Sequence, residues 1–432
     1  MSAELTATPK KQISIWWFAF GYFAAYVPYS FMTKILTKGL LGDGPKDPVN
    51  AVNSFEILPP TIMASIIVMI AFISIMGWWK FATQWKLKLG SKELSLPRPR
   101  LWTLFSGICT GLVVVTTTLA YTIDGVSIVF AMLLMRGGML IMSPIVDAIF
   151  KKPVKWFSWA ALGMSLLALL ISNLWEPFFS GKSVAEVTAF NAMLGLDLVF
   201  YLASYFVRLS CMSKLAKSQN SDDTKKFFVE EQMVGTPSIF IILIIAAIIG
   251  GATGAAPDSL LGGIHAGFTT FWNHPGNIIA IAMAIGFCSQ FNGVFGGLIL
   301  LYPSENSFAV PVNRCSSILA GVAATCMLAL FFEKYNWPQT GEFVGAAFVV
   351  GAVMFLALPK YFAGRKKALA AKADVKADEV KVDEVKAEEV KAEEAKADEV
   401  KADEAKADEV KAEEAKADEA KTDEASDEKK AE

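Results

Sequence analysis

Long apolar runs separated by short polar connections occupy most of the chain. Ten such runs can be drawn: residues 14–36, 58–79, 101–123, 126–150, 156–174, 192–213, 236–251, 278–301, 307–331 and 341–361. A bilayer core of roughly 30 Å is crossed by about 20 apolar residues in helical form. Inside it every backbone polar group needs a partner within its own segment, which runs of this length achieve as helices rather than open strands. The pattern predicts an all-α integral membrane fold of ten transmembrane helices. The seventh run, 236–251, is the shortest and is expected as a brief span.

The polar connections orient these spans. With the N-terminus inside, nineteen Lys and Arg fall in the inner connections and flanks, including Lys10, Lys11, Lys151, Lys152, Lys155, Lys214, Lys217 and six between Lys80 and Arg100. Five fall outside, at Lys34, Lys38, Lys46, Lys182 and Lys334. The positive-inside bias places both termini in the cytoplasm. Ten spans divide into two halves of five, and an odd number of spans turns the second half upside down. A weak internal match agrees: Phe150 to Gly163 and Phe332 to Gly345 have equal length, each holds a Lys and then a Trp, and each precedes the last span of its half. The expected organisation is a cytoplasmic N-terminus (1–13), a first five-helix repeat (14–174), an outer connecting loop (175–191), a second, inverted repeat (192–362) and a cytoplasmic tail (363–432).

That tail changes the picture of the composition. Hydrophobic residues make up 54% of the chain and mean hydropathy is +0.43, although Lys376 to Glu432 is almost wholly Lys, Ala, Glu and Asp. This stretch carries 12 Lys and 23 acids, a net of −11, against 28 basic and 19 acidic residues, a net of +9, in the rest. Its five-residue repeat advances a helix by about 140° per unit, so its valines form no constant stripe. Disorder or transient helix is expected. The basic residues sit in loops between spans and give no nucleic-acid footprint. The five cysteines lie inside apolar runs without ligand spacing, and His265 and His274 share a loop with no nearby carboxylate or thiol in sequence. No metal or cofactor is implied. Met1 to Lys11 precedes a first run without a signal-cleavage pattern.

Ionisable groups at mid-bilayer cost roughly 2.5 to 3.5 kcal/mol on insertion scales, so each is a candidate for function. Arg136 lies ten residues into its run and Arg314 about seven residues into the ninth. Either guanidinium would suit a carboxylate or phosphate. The competing readings are a pair between Arg136 and Asp197, and snorkelling for Arg314. Asp197 is a candidate counter-ion or protonatable coupling site, and Gln290, Asn292 and Asn313 are candidate hydrogen-bonding groups at a substrate site. Lys34, Asp147 and Arg208 lie nearer span ends, where snorkelling, or an Asp147–Lys151 pair, suffices. Tyr22, Tyr26 and Tyr29 have the helical spacing of a packing face. The pairs Gly107/Gly111, Gly293/Gly297 and Gly341/Gly345 predict close helix contacts.

Ala131 to Leu170 holds Met-Arg-Gly-Gly, then Ser143-Pro144 and Phe150-Lys-Lys-Pro. Pro311 to Leu358 holds Asn313-Arg314 and Phe331-Phe332-Glu333 before Trp337, and Thr33-Lys34 closes the first run. With these features the chain from Ser14 to Phe362 resembles the drug/metabolite transporter superfamily of EamA-like permeases, and within it the nucleotide-sugar and triose-phosphate carriers. The resemblance implies a cavity flanked by the fourth and ninth spans and alternating access between inverted halves. The sequence lacks a nucleotide-hydrolysis motif, and the expectation is a secondary transporter of a small anionic metabolite, not an enzyme. The alternatives are an amino-acid or drug exporter of the same superfamily, or a non-transporting scaffold whose acidic tail recruits cytosolic proteins. Expected partners are the lipid bilayer and a small-molecule substrate. A homodimer is compatible with the sequence.

Overall fold

The computed structural model describes residues 13–41, 51–89, 92–120, 128–179, 192–217, 220–332 and 336–357, together with Lys386, Lys391, Lys396, Lys401 and Lys406. The chain divides into two units, Met1–Leu358 and Pro359–Glu432. In the second, the five described lysines are helical and exposed. The rest of the tail, residues 1–12 and residues 180–191 of the outer connecting loop lie outside the described residues.

The first unit is built of helices: α1 (Ile15–Thr37), α2 (Ser54–Ile75), α3 (Leu101–Ala120), α4 (Ile128–Ile149), α5 (Trp156–Phe179), α6 (Ala192–Leu215), α7 (Ser221–Thr253), the short α8 (Leu260–Phe268), α9 (Gly276–Leu300), α10 (Asn306–Phe331) and α11 (Thr340–Ala357). Seven of them, α2, α4, α6, α7, α9, α10 and α11, are long and apolar enough to cross a membrane; α3 and α5 contain shorter apolar segments. The chain is therefore a multi-pass, all-α membrane protein. Helix α1 follows the first expected span to within a residue at each end.

One expectation is corrected, and one connection proves to be regular structure. The seventh run is the apolar end of the longest helix described, not a short one: α7 has 33 residues, about 50 Å at helical rise. Its polar first turns, Ser221 to Glu231, disguise it in sequence. They are started by Asn220, whose side chain accepts from Asp222 N (3.0 Å), and the helix is stopped by Gly254 in the left-handed conformation (φ 61°). Second, the connection between Lys80 and Arg100 is a two-stranded antiparallel hairpin, β1 (Thr83–Leu89) and β2 (Lys92–Arg98). Glu230 of α7, fully buried, fixes both of its roots. One carboxylate oxygen accepts from Thr83 N (3.1 Å) and Thr83 Oγ1 (2.7 Å). The other accepts from Arg100 Nε (2.8 Å), Arg100 N (3.3 Å) and Thr103 Oγ1 (2.8 Å).

The connection after α7 is ordered by contacts remote in sequence. Ser259 caps α8, the Asn53 side chain donates to Pro257 O (2.9 Å), and His274 Nε2 stands 3.1 Å from Glu56 Oε1. His274 thus has the carboxylate neighbour that the loop sequence does not show. Among the described residues no group of His, Cys, Asp and Glu is arranged to hold a metal ion.

Two of the three glycine pairs make close helix contacts. A Cβ on Gly107 would meet Val234 at 2.5 Å, and one on Gly345 would meet the Ser172 hydroxyl at 1.9 Å, so α3 lies tight on α7 and α11 on α5. The third pair behaves differently: a Cβ on Gly293 meets nothing within 4 Å, and this glycine faces a cavity.

Candidate functional site

The cavity, of about 410 Å³, lies between α1, α2, α3, α6, α7, α9 and α10. It reaches Thr37 and Ser54, at the end of α1 and the start of α2, and inward it reaches Tyr22, Tyr205, Arg208, Asn313 and Arg314. Tyr22, Tyr26 and Tyr29 follow one another along α1 with ring centroids 5.6 and 5.7 Å apart, and Tyr22 and Tyr29 line the cavity. The face assigned to packing is thus also cavity wall. Gly296 makes room at the inner end, because a Cβ there would stand 3.0 Å from the Tyr22 ring and 3.2 Å from Asn313 Nδ2.

Four of the sequence-predicted site residues meet in this wall: Gln290 and Asn292 from α9, and Asn313 and Arg314 from α10. Gln290 Nε2 donates to Gln232 Oε1 (3.1 Å), and the buried Asn292 Oδ1 makes no hydrogen bond among the described residues. Arg314 does not snorkel to the helix end. Its Nη2 donates to Tyr205 Oη (3.2 Å) and touches Met139 Sδ, its guanidinium carbon lies 5.8 Å from the Tyr205 ring centroid, and its Nε is buried without an acceptor.

The other two candidates lie elsewhere. Arg136 is half-buried on α4 and is not among the described lining residues, though its charge bears on the phenols of Tyr22 and Tyr201. Asp197 is 4% exposed and neither carboxylate oxygen has a hydrogen-bond partner. The pair between Arg136 and Asp197 is therefore not formed. Asp197 stands one helical turn before Tyr201, whose ring packs on Tyr205 at 5.0 Å, and Tyr205 in turn accepts from Arg314.

Arg208 and Asp147 do more than the sequence suggests. Arg208, at the cavity wall, is buried in a two-point ion pair with Glu231 of α7: Nε to Oε1 is 2.9 Å and Nη2 to Oε2 is 3.2 Å. Glu231 also accepts from Ser106 Oγ (2.6 Å) and Thr110 Oγ1 (3.3 Å) of α3. Sequence reasoning passed over Glu231 because it lies in the polar start of α7. Asp147, fully buried at the end of α4, does not pair with Lys151. It caps α10 instead: Oδ1 accepts from Asn306 N and Nδ2 (both 2.8 Å), and Oδ2 accepts from Ser307 N and Oγ (both 2.7 Å). A carboxylate at a helix N-terminus satisfies otherwise orphaned N–H groups and complements the helix dipole.

Around this cap the Lys-rich end of the bundle is closed. Asn306 Nδ2 also donates to Ser213 Oγ (2.9 Å), Ser158 Oγ donates to Glu305 Oε1 (3.1 Å), and Lys217 Nζ donates to Asn306 Oδ1 (2.7 Å) and Ser304 O (3.1 Å). These bonds join α4, α5, α6 and α10. Lys217 lies in the connection after α6, where burial, reinforced by the like charge of Lys152, pushes its ammonium down to about 7 against the pull of Asp147 and Glu305. An amine lowered from its ordinary 10.5 leaves the unfolded chain holding more protons between about pH 7 and 10.5, so stability rises with pH across that window. Below it the fold must carry a cation at this half-buried place. The melting temperature of the detergent-solubilised protein is expected to climb by a few degrees from pH 7 to 9.5, with a smaller slope in Lys217→Gln. Equal slopes would contradict this assignment.

No family model matches the chain, and comparison with curated proteins gives no match. Among solved structures, one described only as the crystal structure of a protein is similar over 79% of this chain and 96% of its own, at 12% identity and a TM-score of 0.45.

Proposed function

We propose that the protein is a secondary carrier that moves a small organic anion across a membrane by alternating access. The reading rests on one observation: Arg314 brings a guanidinium to a cavity whose described wall contains no Asp or Glu. The second arginine of the wall, Arg208, is neutralised by Glu231, so the net charge facing the cavity is positive. A guanidinium keeps its proton at any physiological pH. The cavity therefore favours a ligand that supplies a carboxylate or phosphate, while its tyrosines and amides contact the uncharged remainder. The exporter alternative would need an acid at the wall to receive a cationic substrate.

Ten spans in two inverted halves complete this reading, and the helix contacts support it. If α1 to α5 correspond in order to α6, α7, α9, α10 and α11, then exchanging the halves turns α1–α9 into α6–α3, α1–α10 into α6–α4, and α2–α9 into α7–α3. All six of these contacts are observed. The pairs α2–α7 and α4–α10, which map onto themselves, are also in contact. In the fold this chain resembles, two such halves rock about a central site. With both termini cytoplasmic, as the charge bias predicts, the cavity faces outward and the Asp147 network seals the inner end.

The test is uptake by the full chain reconstituted in liposomes, using labelled organophosphates and dicarboxylates beside cationic amines of similar size. Saturable anion uptake or exchange is expected. Transport of the cations alone would refute the assigned charge, and inactivity across both sets would leave the membrane scaffold as the better account.

A further inference from the structure

The hairpin is built for a purpose that the cavity does not explain. It leaves the bundle just after α2 ends at Ile75 and returns just before α3 begins at Leu101, where Ile75 and Trp102 present strongly exposed apolar side chains. Its roots are held rigidly by the five hydrogen bonds to Glu230. The register pairs Trp85 with Leu96 and Leu87 with Leu94. Because side chains alternate across a strand, Trp85 and Leu96 share one face. The pair next to them in that face is Thr83 with Arg98, which puts a cation beside the apolar centre. Trp85 is 53% exposed and Leu96 40%.

Charge points the same way. Residues 80–100 contain six Lys or Arg and one acid, Glu93, a net of +5. Lys214 Nζ over the Trp102 ring (5.6 Å) adds a cation at the same end of the bundle, whereas Lys225, over the Phe81 ring (4.7 Å), is paired with Asp222. We infer that the hairpin is an anionic-lipid docking site, with the Trp85–Leu96 centre seated in the interfacial layer and its basic residues against acidic headgroups. Aromatic side chains partition to the membrane interface, and basic clusters beside spans are drawn to acidic lipid. An exposed Trp and Leu on a two-stranded sheet would otherwise invite edge-to-edge association. The leaflet is the partner that meets both the apolar centre and the cations, and it lies beside the helix ends from which the hairpin springs. This inference does not depend on the transport reading.

The full-length protein would be reconstituted in vesicles of phosphatidylcholine with or without phosphatidylglycerol, doped with lipid brominated near the headgroup. The difference in tryptophan fluorescence between the parent and Trp85→Phe isolates the Trp85 signal. That signal is expected to be quenched by the brominated lipid and shielded from aqueous acrylamide when phosphatidylglycerol is present. The lipid quenching should fall markedly in pure phosphatidylcholine and in a Lys92→Gln, Arg98→Gln variant. Leu96→Trp in the parent supplies a second reporter on the same face should the first difference be too small or Trp85→Phe fold poorly. Acrylamide access that is equal in both lipids, or shielding that appears only after a cytosolic protein is added, would overturn the proposal.

Discussion

Arg314→Gln is expected to abolish anion uptake while leaving the protein folded. Glutamine keeps a polar hydrogen-bonding side chain and removes the positive charge that the described cavity wall leaves unneutralised. A hydrogen bond to a charged partner is worth about 1.5 to 3 kcal/mol, and each 1.4 kcal/mol is about tenfold in affinity. Binding should therefore weaken by roughly one to two orders of magnitude, enough to remove uptake at low substrate concentration. Arg136→Gln serves as the comparison. Arg136 stands outside the described wall, so its loss should be felt much less. Arg208 is unsuited to the test, because removing it would strand the buried Glu231 carboxylate and confound binding with folding. Full uptake by a well-folded Arg314→Gln protein would sink the anion reading, as would a smaller effect than that of Arg136→Gln.

The second large effect is expected at Asp147. Alanine there deletes an acceptor of four hydrogen bonds and leaves two backbone N–H groups at the start of α10 without partners in a closed, buried place. Stranding a buried donor costs about 1 to 3 kcal/mol, and loss of the charge at the helix N-terminus adds up to about 1 kcal/mol. Asp147→Ala should destabilise the protein by about 3 kcal/mol or more, seen as a drop of several degrees in melting temperature. Asp147→Asn, which keeps one acceptor oxygen, should fall between the two. An Asp147→Ala protein that melts with the parent would show that the cap contributes nothing to the closed end.

The apolar runs were legible because burial in lipid demands long uninterrupted hydrophobicity, which composition reports directly. The pattern failed where polar residues are buried against one another. Glu230 and Glu231 make the start of α7 read as a solvent loop, yet each is satisfied by partners more than a hundred residues away in α3 or at the hairpin roots, and Glu231 also by Arg208, 23 residues back. The hairpin is legible in the sequence as well: Thr83 to Leu89 alternates with period two, Gly90-Ser91 follows, and alternation resumes, although apolar runs of helical period surround it. At the candidate site, Arg314, Asn313, Gln290 and Asn292 stood out because polar groups in an apolar run are costly. Arg136 stood out for the same reason, and its distance from the wall depends on helix rotation, which one sequence does not encode. Asp147 was misjudged because its helix-end position offered a local partner, Lys151, whereas the partner that forms is a helix end 159 residues away.

Two consecutive acids on α7 also have a kinematic consequence. Glu230 grips the hairpin roots and Thr103, while Glu231 grips Ser106, Thr110 and Arg208, so α3 is fastened to α7 at three positions along one of its faces. A helix held in two directions at one level has lost its freedom to roll about its axis or slide along it. If the two halves rock as proposed, these bonds are what would hold the hairpin roots, α3, α7 and the Arg208 corner of α6 together. The hairpin and the cavity wall thus share one helix, α7, through two adjacent carboxylates.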